Sequence, residues 1–358
     1  MHTINVYYNK CAHTSRVLTG FHMLETNNRI KLKMIENTDN YRGFSFQNLQ
    51  AEIDNEMLVS FDMGDRWWLA HDEGSKYLDL VDAYFARSYT SNSDMRKADC
   101  DRNINKVHPF GFDYYATYSG NPMDATVSKK KKLLSTVRKV SGYEKCMHVP
   151  YFEGKADEKE KDFKIIFMTR LWNPEEVNLK EPGISQEIIE YRKYMIEERY
   201  WINEQRIKIV KELQKNFGSR FTGGIYADSF ANKKCPEIVL DKSQVRKKAY
   251  LDKMKESDIC IGSVGLHQSI GWKTGEYVAA ARAIIAEEFV YQVPGNFDDG
   301  NHYIPFNNAE GCLEAVEKLY NDADRIYKMK KANETYYEQY LKPDQQIRNA
   351  LVQIGVSV

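Results

Sequence analysis

The sequence predicts an α/β protein of two domains, each a parallel sheet with helices on its faces, that face each other across a cleft. Its 358 residues are enough for about two domains. Short apolar runs alternate with helical stretches in both halves, which is typical of parallel sheets. Residues 154–162 (GKADEKEKD) separate the halves, and seven of these nine residues are charged. We therefore expect a solvated linker there.

The first half contains four runs that read as strands and one amphipathic stretch between the first two. The predicted strands are residues 4–8, 31–35, 57–61 (MLVSF) and 78–84, and the predicted helix is 15–25. A helix between two short apolar runs predicts a crossover between parallel strands.

The second half repeats this alternation more clearly. In residues 203–217, Ile207, Val210, Leu213 and Phe217 form one stripe, and Gly218 follows, as at a helix end. The remaining elements are predicted from short apolar runs and helical periodicity. The predicted strands are 164–169, 258–262 and 283–286, and residues 219–224 lead into a further strand-like segment. The other predicted helices are 250–256, 275–281 and 309–320.

Charge and hydropathy exclude several classes of protein. The chain has 51 Lys+Arg and 51 Asp+Glu and a pI near 7.1, which argues against a dedicated binder of nucleic acid. The mean hydropathy is −0.62 and no apolar run approaches the length of a membrane span. The six cysteines lie at least 25 residues apart, too far for a zinc knuckle or a redox motif. We expect free thiols and a cytoplasmic protein, since the first residues show no secretion signal.

The most informative stretch is 258–287, where a strand ends at a loop that holds Gly262, Gly265 and Gly271. A helix then begins near Lys273 and carries Glu276 in its first turn. Ligands of open α/β sheets bind beyond the carboxyl ends of the strands, and helix N-termini favour anions such as phosphate. The glycines alternatively make only a tight turn, with Glu276 complementing the helix dipole. The loop is neither a GxGxxG fingerprint nor a P-loop.

This stretch resembles the donor-binding region of GT-B glycosyltransferases, especially bacterial polysaccharide and capsule enzymes. Residues 276–285 (EYVAAARAII) are similar to the EYLAAGKPVI of that family. Residues 167–172 (FMTRLW) resemble the segment that opens its second domain, and 336–351 resemble its terminal helix. Residues 85–89 and 107–112 are similar to the end of its first domain.

The resemblance implies the GT-B fold, in which two Rossmann-like domains face each other across a cleft. It implies an N-terminal acceptor-binding domain at 1–153, a linker at 154–162 and a nucleotide-sugar-binding domain at 163–330. Residues 331–358 would form a helix that crosses back to the first domain. The implied activity is metal-independent transfer of a sugar from a nucleotide diphosphate-sugar to a saccharide or lipid-linked acceptor, in polysaccharide biosynthesis. No cofactor is expected beyond this co-substrate.

The resemblance also implies roles for individual residues. Glu276 would hold the ribose, and Arg170 and Lys273 would neutralise the diphosphate. Ser269, Gly271, His267 and Tyr277 complete the expected donor site, although His267 is equally explained as a turn residue. Many retaining members carry a glutamate eight residues before the ribose glutamate, and this chain has Gln268 there. A nucleotide-sugar epimerase and a non-catalytic carbohydrate- or nucleotide-binding module remain alternatives.

The acceptor and a general base are expected from the first domain. Asp62 and Asp65 follow a predicted strand, and His13 follows the first strand, so each is a candidate base or a turn residue. Asp322-Ala323-Asp324 is formally a DxD metal motif, but we interpret it as a loop and expect no metal site.

A basic stretch lies within residues 125–143, which hold six Lys and Arg residues, all between 129 and 139, and no acidic residue. It predicts either a helix at the inner face of an anionic membrane or a helix packed on the sheet with a solvated basic face.

Overall fold

The computed structural model describes residues 1–37, 47–67, 76–93, 103–123 and 147–358. The basic stretch 129–139 predicted to touch a membrane lies outside these residues, as do Cys100 and Cys146. The four cysteines within them, Cys11, Cys235, Cys260 and Cys312, are buried free thiols. Across the described ranges, no helix combines the length and apolarity needed to cross a bilayer.

The first domain is built on a six-stranded sheet in the order β2-β1-β3-β4-β5-β6. Helix α1 (Ser15–Thr26) connects β1 to β2, and a two-stranded sheet, β7 with β8, lies beside the main sheet. The strands are β1 Thr3–Tyr8, β2 Lys31–Glu36, β3 Asn48–Ile53, β4 Met57–Asp62, β5 Ala83–Ala86, β6 Val107–Pro109, β7 Ala116–Thr117 and β8 Met147–His148.

Strand β3 makes this sheet mixed, so the expectation of a purely parallel sheet is wrong in the first domain. It runs antiparallel to both β1 and β4. A tight turn joins it to β4, and its Asp54 and Asn55 have φ of 53° and 60°. Asp and Asn are the residues that tolerate the positive φ of a tight hairpin turn. The predicted strand 78–84 is also wrong over its first half, because Leu78–Leu80 is a 3-10 helix and β5 begins at Ala83.

The second domain has a fully parallel sheet in the order β11-β10-β9-β12-β13-β14. Numbered within the domain this is 3-2-1-4-5-6, the order of dinucleotide-binding sheets. Its strands are β9 Ile165–Thr169, β10 Phe221–Tyr226, β11 Val239–Leu240, β12 Ile259–Gly262, β13 Ala283–Glu287 and β14 Tyr303–Phe306. The predicted fold class is confirmed: two Rossmann-like domains face each other across a cleft, as in the GT-B fold.

Helices cover the second sheet and continue to the end of the chain. They are α2 Gln186–Phe217, α3 Ser229–Lys234, α4 Lys247–Lys255, α5 Trp272–Ala279, α6 Ala309–Tyr320, α7 Ala323–Tyr336 and α8 Pro343–Gln353. Helix α2 begins 17 residues before the predicted start at 203, where the Ser185 side chain accepts a hydrogen bond from the Ile188 N–H. Several apolar side chains of its first half, among them Ile188, Tyr191 and Tyr194, are exposed and do not form a buried stripe, so the sequence pattern did not mark this half as part of the helix.

The last helix, α8, packs on α1 of the first domain. The buried guanidinium of Arg16 on α1 donates to Asp113 Oδ1 at 3.0 Å, to the Phe112 carbonyl and to Gln346 of α8. Gln346 in turn donates to the Phe110 carbonyl at 2.6 Å. A buried charge is stable only when its donors are satisfied, so this network fixes α8 to the first domain.

Helices α1 and α8 approach each other closely at Gly20. A Cβ at this position would lie 2.3 Å from the Pro343 carbonyl oxygen, which is backbone and cannot move aside alone. We expect Gly20→Ala to destabilise the protein by about 1–3 kcal/mol, the usual cost of overpacking. The melting temperature and chemical denaturation measure this.

Gly311→Ala is the matched control, because it also lies in a helix but its Cβ would meet its nearest neighbour at 3.4 Å. Alanine favours a helix over glycine by about 1 kcal/mol, so this variant should be neutral or stabilised. Equal stability of the two variants would contradict the packing of α8 described here.

Candidate functional site

A cavity of about 720 Å³ lies between the two domains, at the carboxyl ends of β9, β10 and β12. We call it the interdomain pocket. The first domain contributes His13, Asp65 and Arg87 to its wall. The position is where open α/β sheets bind their ligands.

The glycine loop 262–271 forms one wall of the interdomain pocket. A Cβ on Gly265 would lie 2.6 Å from Ser269 Oγ, and one on Gly262 would lie 3.1 Å from Thr274 Oγ1. Gly271 precedes α5 and has no side chain that could accept from the first N–H groups of the helix. The Thr274 N–H donates to the Gly271 carbonyl at 3.0 Å, whereas the N–H groups of Trp272 and Lys273 have no acceptor among the described residues and remain open to an anion in the pocket.

Glu276 is the buried carboxylate of the pocket, with 2% of its surface exposed. Its Oε1 forms an ion pair with the Lys247 ammonium of α4. Its Oε2 is buried and has no hydrogen-bond partner among the described residues. An ionised carboxylate oxygen without a donor is costly, so this oxygen is ready to accept from a ligand hydroxyl.

Lys273 lies one turn before Glu276 on α5. Its ammonium donates to the Tyr226 hydroxyl at 2.8 Å and lies 3.6 Å from the ring centroid of Tyr250. Burial lowers the pKa of Lys273 to about 8, although the charge of Glu276 opposes this shift. A bound anion would stabilise the charged form of this lysine.

Arg170 directly follows β9, and its guanidinium lies 3.6 Å from the ring centroid of Trp172. Behind it, the buried Arg206 donates to the Arg170 carbonyl at 2.6 Å, to Ser263 Oγ at 3.1 Å and to the Val264 carbonyl at 2.7 Å. Arg206 therefore holds the ends of β9 and β12 together and positions Arg170 on the wall.

The interdomain pocket is strongly cationic in a chain of zero net charge. Two carboxylates face seven basic side chains, so the pocket suits a ligand with several negative charges. The carboxylates are Asp65 and Glu276, and the basic residues are Arg87, Arg170, Arg206, Lys242, Arg246, Lys247 and Lys273.

Asp62 and Asp65 have different environments although Asp62 is the last residue of β4 and Asp65 comes only three residues later. Asp62 is 3% exposed and accepts from the Tyr84 hydroxyl at 2.6 Å and from the Gly64 N–H at 2.9 Å. Burial raises its pKa to about 6. Asp65 lines the pocket and forms an ion pair with Arg87. Burial alone would raise the pKa of Asp65, but Arg87 and His13 outweigh this and lower it.

His13 lies on a short 3-10 helix after β1, opposite the start of α5. The edge of its ring packs on Trp272, with centroids 4.9 Å apart. Its Nδ1 is buried without a hydrogen-bond partner within the described ranges. Of the three candidates for a base, the structure therefore brings His13 and Asp65 to the pocket, and Asp62 does not line it.

Ser269 and Gly271 line the pocket as expected, but the structure does not bring Tyr277 or His267 to it. Tyr277 is fully buried and donates its hydroxyl to the Ile261 carbonyl at 3.1 Å, so it belongs to the core. The His267 N–H donates to Glu198 at 2.7 Å on the far side of the loop.

Sequence reasoning missed Lys247, Tyr226 and Arg87, which contact the predicted residues. Lys247 is 29 positions from Glu276, so no local pattern joins them. A signal did exist for Lys247: Arg246, Lys247 and Lys248 open α4, where cations oppose the helix dipole. Such an unfavourable run suggests an anion nearby.

The interpretation of the DxD sequence as a loop is wrong for Ala323 and Asp324, because they are the first two residues of α7. Asp322 caps α7, and its side chain accepts from the Arg325 N–H at 2.9 Å. Within the described ranges, no group of three His, Cys, Asp or Glu side chains is arranged to hold a metal ion.

No protein-family profile and no curated protein sequence matches the chain. Solved structures do match, among them three of low identity to this chain. HepE of Anabaena in complex with UDP is 10% identical over 99% of this chain and 100% of that one, with a TM-score of 0.41. The S. aureus MnaA-UDP structure is 11% identical over 96% and 98%, with a TM-score of 0.39.

A third match is the C-terminal domain of the glycosyl transferase group 1 family protein LpcC from Francisella tularensis. It is 10% identical over 53% of this chain and 96% of that one, with a TM-score of 0.36. At these identities and TM-scores, the similarities say nothing about the reaction or the substrates of this chain.

The lowered pKa of Lys273 predicts a pH-dependent stability. Between pH 8 and 10.5 the unfolded chain holds the lysine proton and the folded chain does not, so the free energy of unfolding rises with pH in this window. Lys273→Met removes this contribution. From pH 8 to 10, we expect the melting temperature of the unaltered protein to rise relative to that of the variant.

Lys318→Met is the control, because Lys318 is exposed on α6. Its melting temperature should follow that of the unaltered protein across the same range. A constant difference between the Lys273→Met and unaltered proteins from pH 8 to 10 would show that Lys273 has an ordinary pKa.

Proposed function

We propose that the chain is a glycosyltransferase that moves a sugar from a nucleoside diphosphate-sugar to a saccharide or lipid-linked acceptor, without a metal ion. The observation that carries the proposal is the buried Glu276, with one oxygen paired to Lys247 and the other unpartnered. It lies in a cationic pocket at the edge of a sheet of dinucleotide-binding order.

Each part of the donor has a matching group in the interdomain pocket. The unpartnered Oε2 of Glu276 accepts from a ribose hydroxyl. Lys273, Arg170 and the N–H groups that begin α5 bind the diphosphate, with Ser269 and Gly271 shaping the loop beside it.

The same cations would also stabilise the leaving group of the reaction. Negative charge develops on the nucleoside diphosphate as its bond to the sugar breaks, and fixed positive groups stabilise this charge. Because Arg206 and Tyr226 already hold Arg170 and Lys273 in place, little reorganisation accompanies the step.

The acceptor hydroxyl approaches from the first domain, where Asp65 and His13 line the pocket. The acceptor oxygen bonds to the anomeric carbon, the bond to the diphosphate breaks, and the hydroxyl proton passes to one of these two groups. The lowered pKa keeps Asp65 ionised and able to accept a proton at neutral pH.

Nucleoside diphosphates should stabilise the protein in a thermal-shift titration. A ligand at 100 times its dissociation constant contributes about 2.7 kcal/mol. We expect Glu276→Gln to weaken this binding at least about tenfold, because the amide cannot replace the buried charge beside Lys247 or accept equally well.

Glu314→Gln is the control for that titration, since Glu314 is exposed on α6. It should bind like the unaltered protein. If no nucleoside diphosphate or nucleotide-sugar shifts the melting temperature, the donor site is assigned wrongly.

The two aspartates should respond differently to amide substitution. We expect Asp65→Asn to lower the rate of sugar transfer by about 10²–10⁴-fold, as for loss of a general base, with unchanged affinity for nucleoside diphosphate. Asp62→Asn should act mainly on the melting temperature, because Asp62 is buried against Tyr84.

Product analysis separates transfer from epimerisation. A transferase releases nucleoside diphosphate in proportion to the acceptor supplied, whereas an epimerase returns an altered sugar with no acceptor. Sugar transfer at an unchanged rate in Asp65→Asn would exclude Asp65 as the base and leave His13.

A further inference from the structure

A second cavity of about 500 Å³ lies wholly within the second domain, on the far side of the glycine loop from the interdomain pocket. We call it the helix pocket, because the first half of α2 forms one wall of it. The ends of β13 and β14 form the opposite wall, and Val264 and Gln268 of the loop lie between.

The charge of the helix pocket is opposite to that of the interdomain pocket. Its wall contains four carboxylates, Glu197, Glu198, Glu287 and Glu288, and no lysine, arginine or histidine from the described residues. Carboxylates that share a small space repel one another, and a positive group between them would relieve that repulsion.

Glu287 is the most buried of these carboxylates, and no ion pair with a described residue balances its charge. It is 6% exposed, and one oxygen accepts from the Val264 N–H at 2.7 Å. It forms no ion pair with any described residue, although Arg206 lies close enough to oppose the rise in pKa that burial causes. Three of the five N–H groups of Arg206 donate to Ser263, Arg170 and Val264, and none is seen to donate to Glu287. The Val264 N–H is the hydrogen-bond donor that Glu287 has among the described residues, and it binds one of the two carboxylate oxygens.

Glu198 is a second carboxylate of the helix pocket that forms no ion pair with a described residue. Its Oε1 accepts from the His267 N–H at 2.7 Å, while its Oε2 is buried with no hydrogen-bond partner in the described part of the chain. Burial is the largest influence on the pKa of Glu198 and raises it. Arg199 opposes this rise for Glu198 as Arg206 does for Glu287, but neither carboxylate forms an ion pair with a described residue.

Aromatic rings complete the helix pocket. Tyr194 and Trp201 of α2 line it, and each of these large rings leaves 44% of its surface exposed. Aromatic faces attract positive groups and pack against the flat faces of sugar rings. The pocket thus combines unpaired negative charge with apolar surface.

We propose that the helix pocket binds a small organic ammonium compound the size of an amino sugar. Its protonated amine would lie between Glu198 and Glu287, and its carbon skeleton would pack on Trp201. This binding does not depend on the proposed glycosyltransferase activity, since the two pockets lie on opposite faces of the loop.

Isothermal titration with glucosamine and with glucose tests the proposal, because the two differ in one amine. The titrations are made below the pKa of the amine, at equal ionic strength. We expect glucosamine to bind at least about tenfold more tightly than glucose, since a charge-assisted hydrogen bond to a desolvated carboxylate replaces a neutral one. Equal affinity, or no binding of glucosamine, would overturn the proposal.

Two variants locate the binding. Glu198→Gln keeps the acceptor for the His267 N–H but removes the charge, and Trp201→Ala removes the exposed ring. Each should weaken glucosamine binding at least about tenfold, whereas Glu204→Gln, exposed on the same helix, should not change it. Glucosamine binding that both Glu198→Gln and Trp201→Ala leave intact would place the ligand elsewhere. Nucleoside diphosphate affinity, measured on the same proteins, reports separately on the donor site.

Discussion

The close contact of helix α5 with the first domain is the constraint on which the site depends. A Cβ on Gly275 would lie 2.7 Å from the Asp113 carbonyl oxygen, so only glycine lets the two backbones meet. Trp272 on the same helix packs against His13, and Arg87 donates to the Ile270 carbonyl just before it. Because α5 also carries Lys273 and Glu276, the donor-binding residues and the contact between domains belong to one rigid element. The distance between the two sides of the interdomain pocket therefore depends on the packing of this helix.

The zero net charge of the chain conceals a strong separation of charge around one loop. On the side of Ser269 and Gly271, basic side chains dominate, and on the side of Val264 and Gln268, carboxylates do. In a partly dehydrated cleft such fields are screened less than at an open surface. Composition alone excluded a polyanion binder and could not show that the cations converge, since they come from strands and helices far apart in sequence. The loop thus separates two pockets that attract ligands of opposite charge.

The second domain could be predicted from the sequence because its strands are buried on both faces. Such strands read as continuous apolar runs, as in residues 258–262, and the helices between them have clear periodicity. Strand β3 was missed although residues 48–53 (NLQAEI) alternate polar and apolar side chains as a strand does, because Asn, Ala and Glu are residues that strands disfavour. In the site, Glu276 and Lys273 follow from the glycine loop, whereas Lys247 is brought to Glu276 only by the packing of α4. The sequence therefore indicated the residues of one loop and helix, but it could not indicate residues that other helices and strands bring to them.

The direction of a side chain was the hardest feature to predict, as Asp62 and Asp65 show. They lie three residues apart at the end of β4, and both residues suit a turn or a catalytic base. Asp62 ends the strand with its carboxylate turned inward, where it accepts from the Gly64 N–H, while the Ser88 hydroxyl donates to the Gly64 carbonyl at 2.9 Å. These two hydrogen bonds fix the turn from which Asp65 reaches the pocket and meets Arg87. Asp62 is therefore a positioning residue for Asp65, and its raised pKa follows from the burial that this role requires.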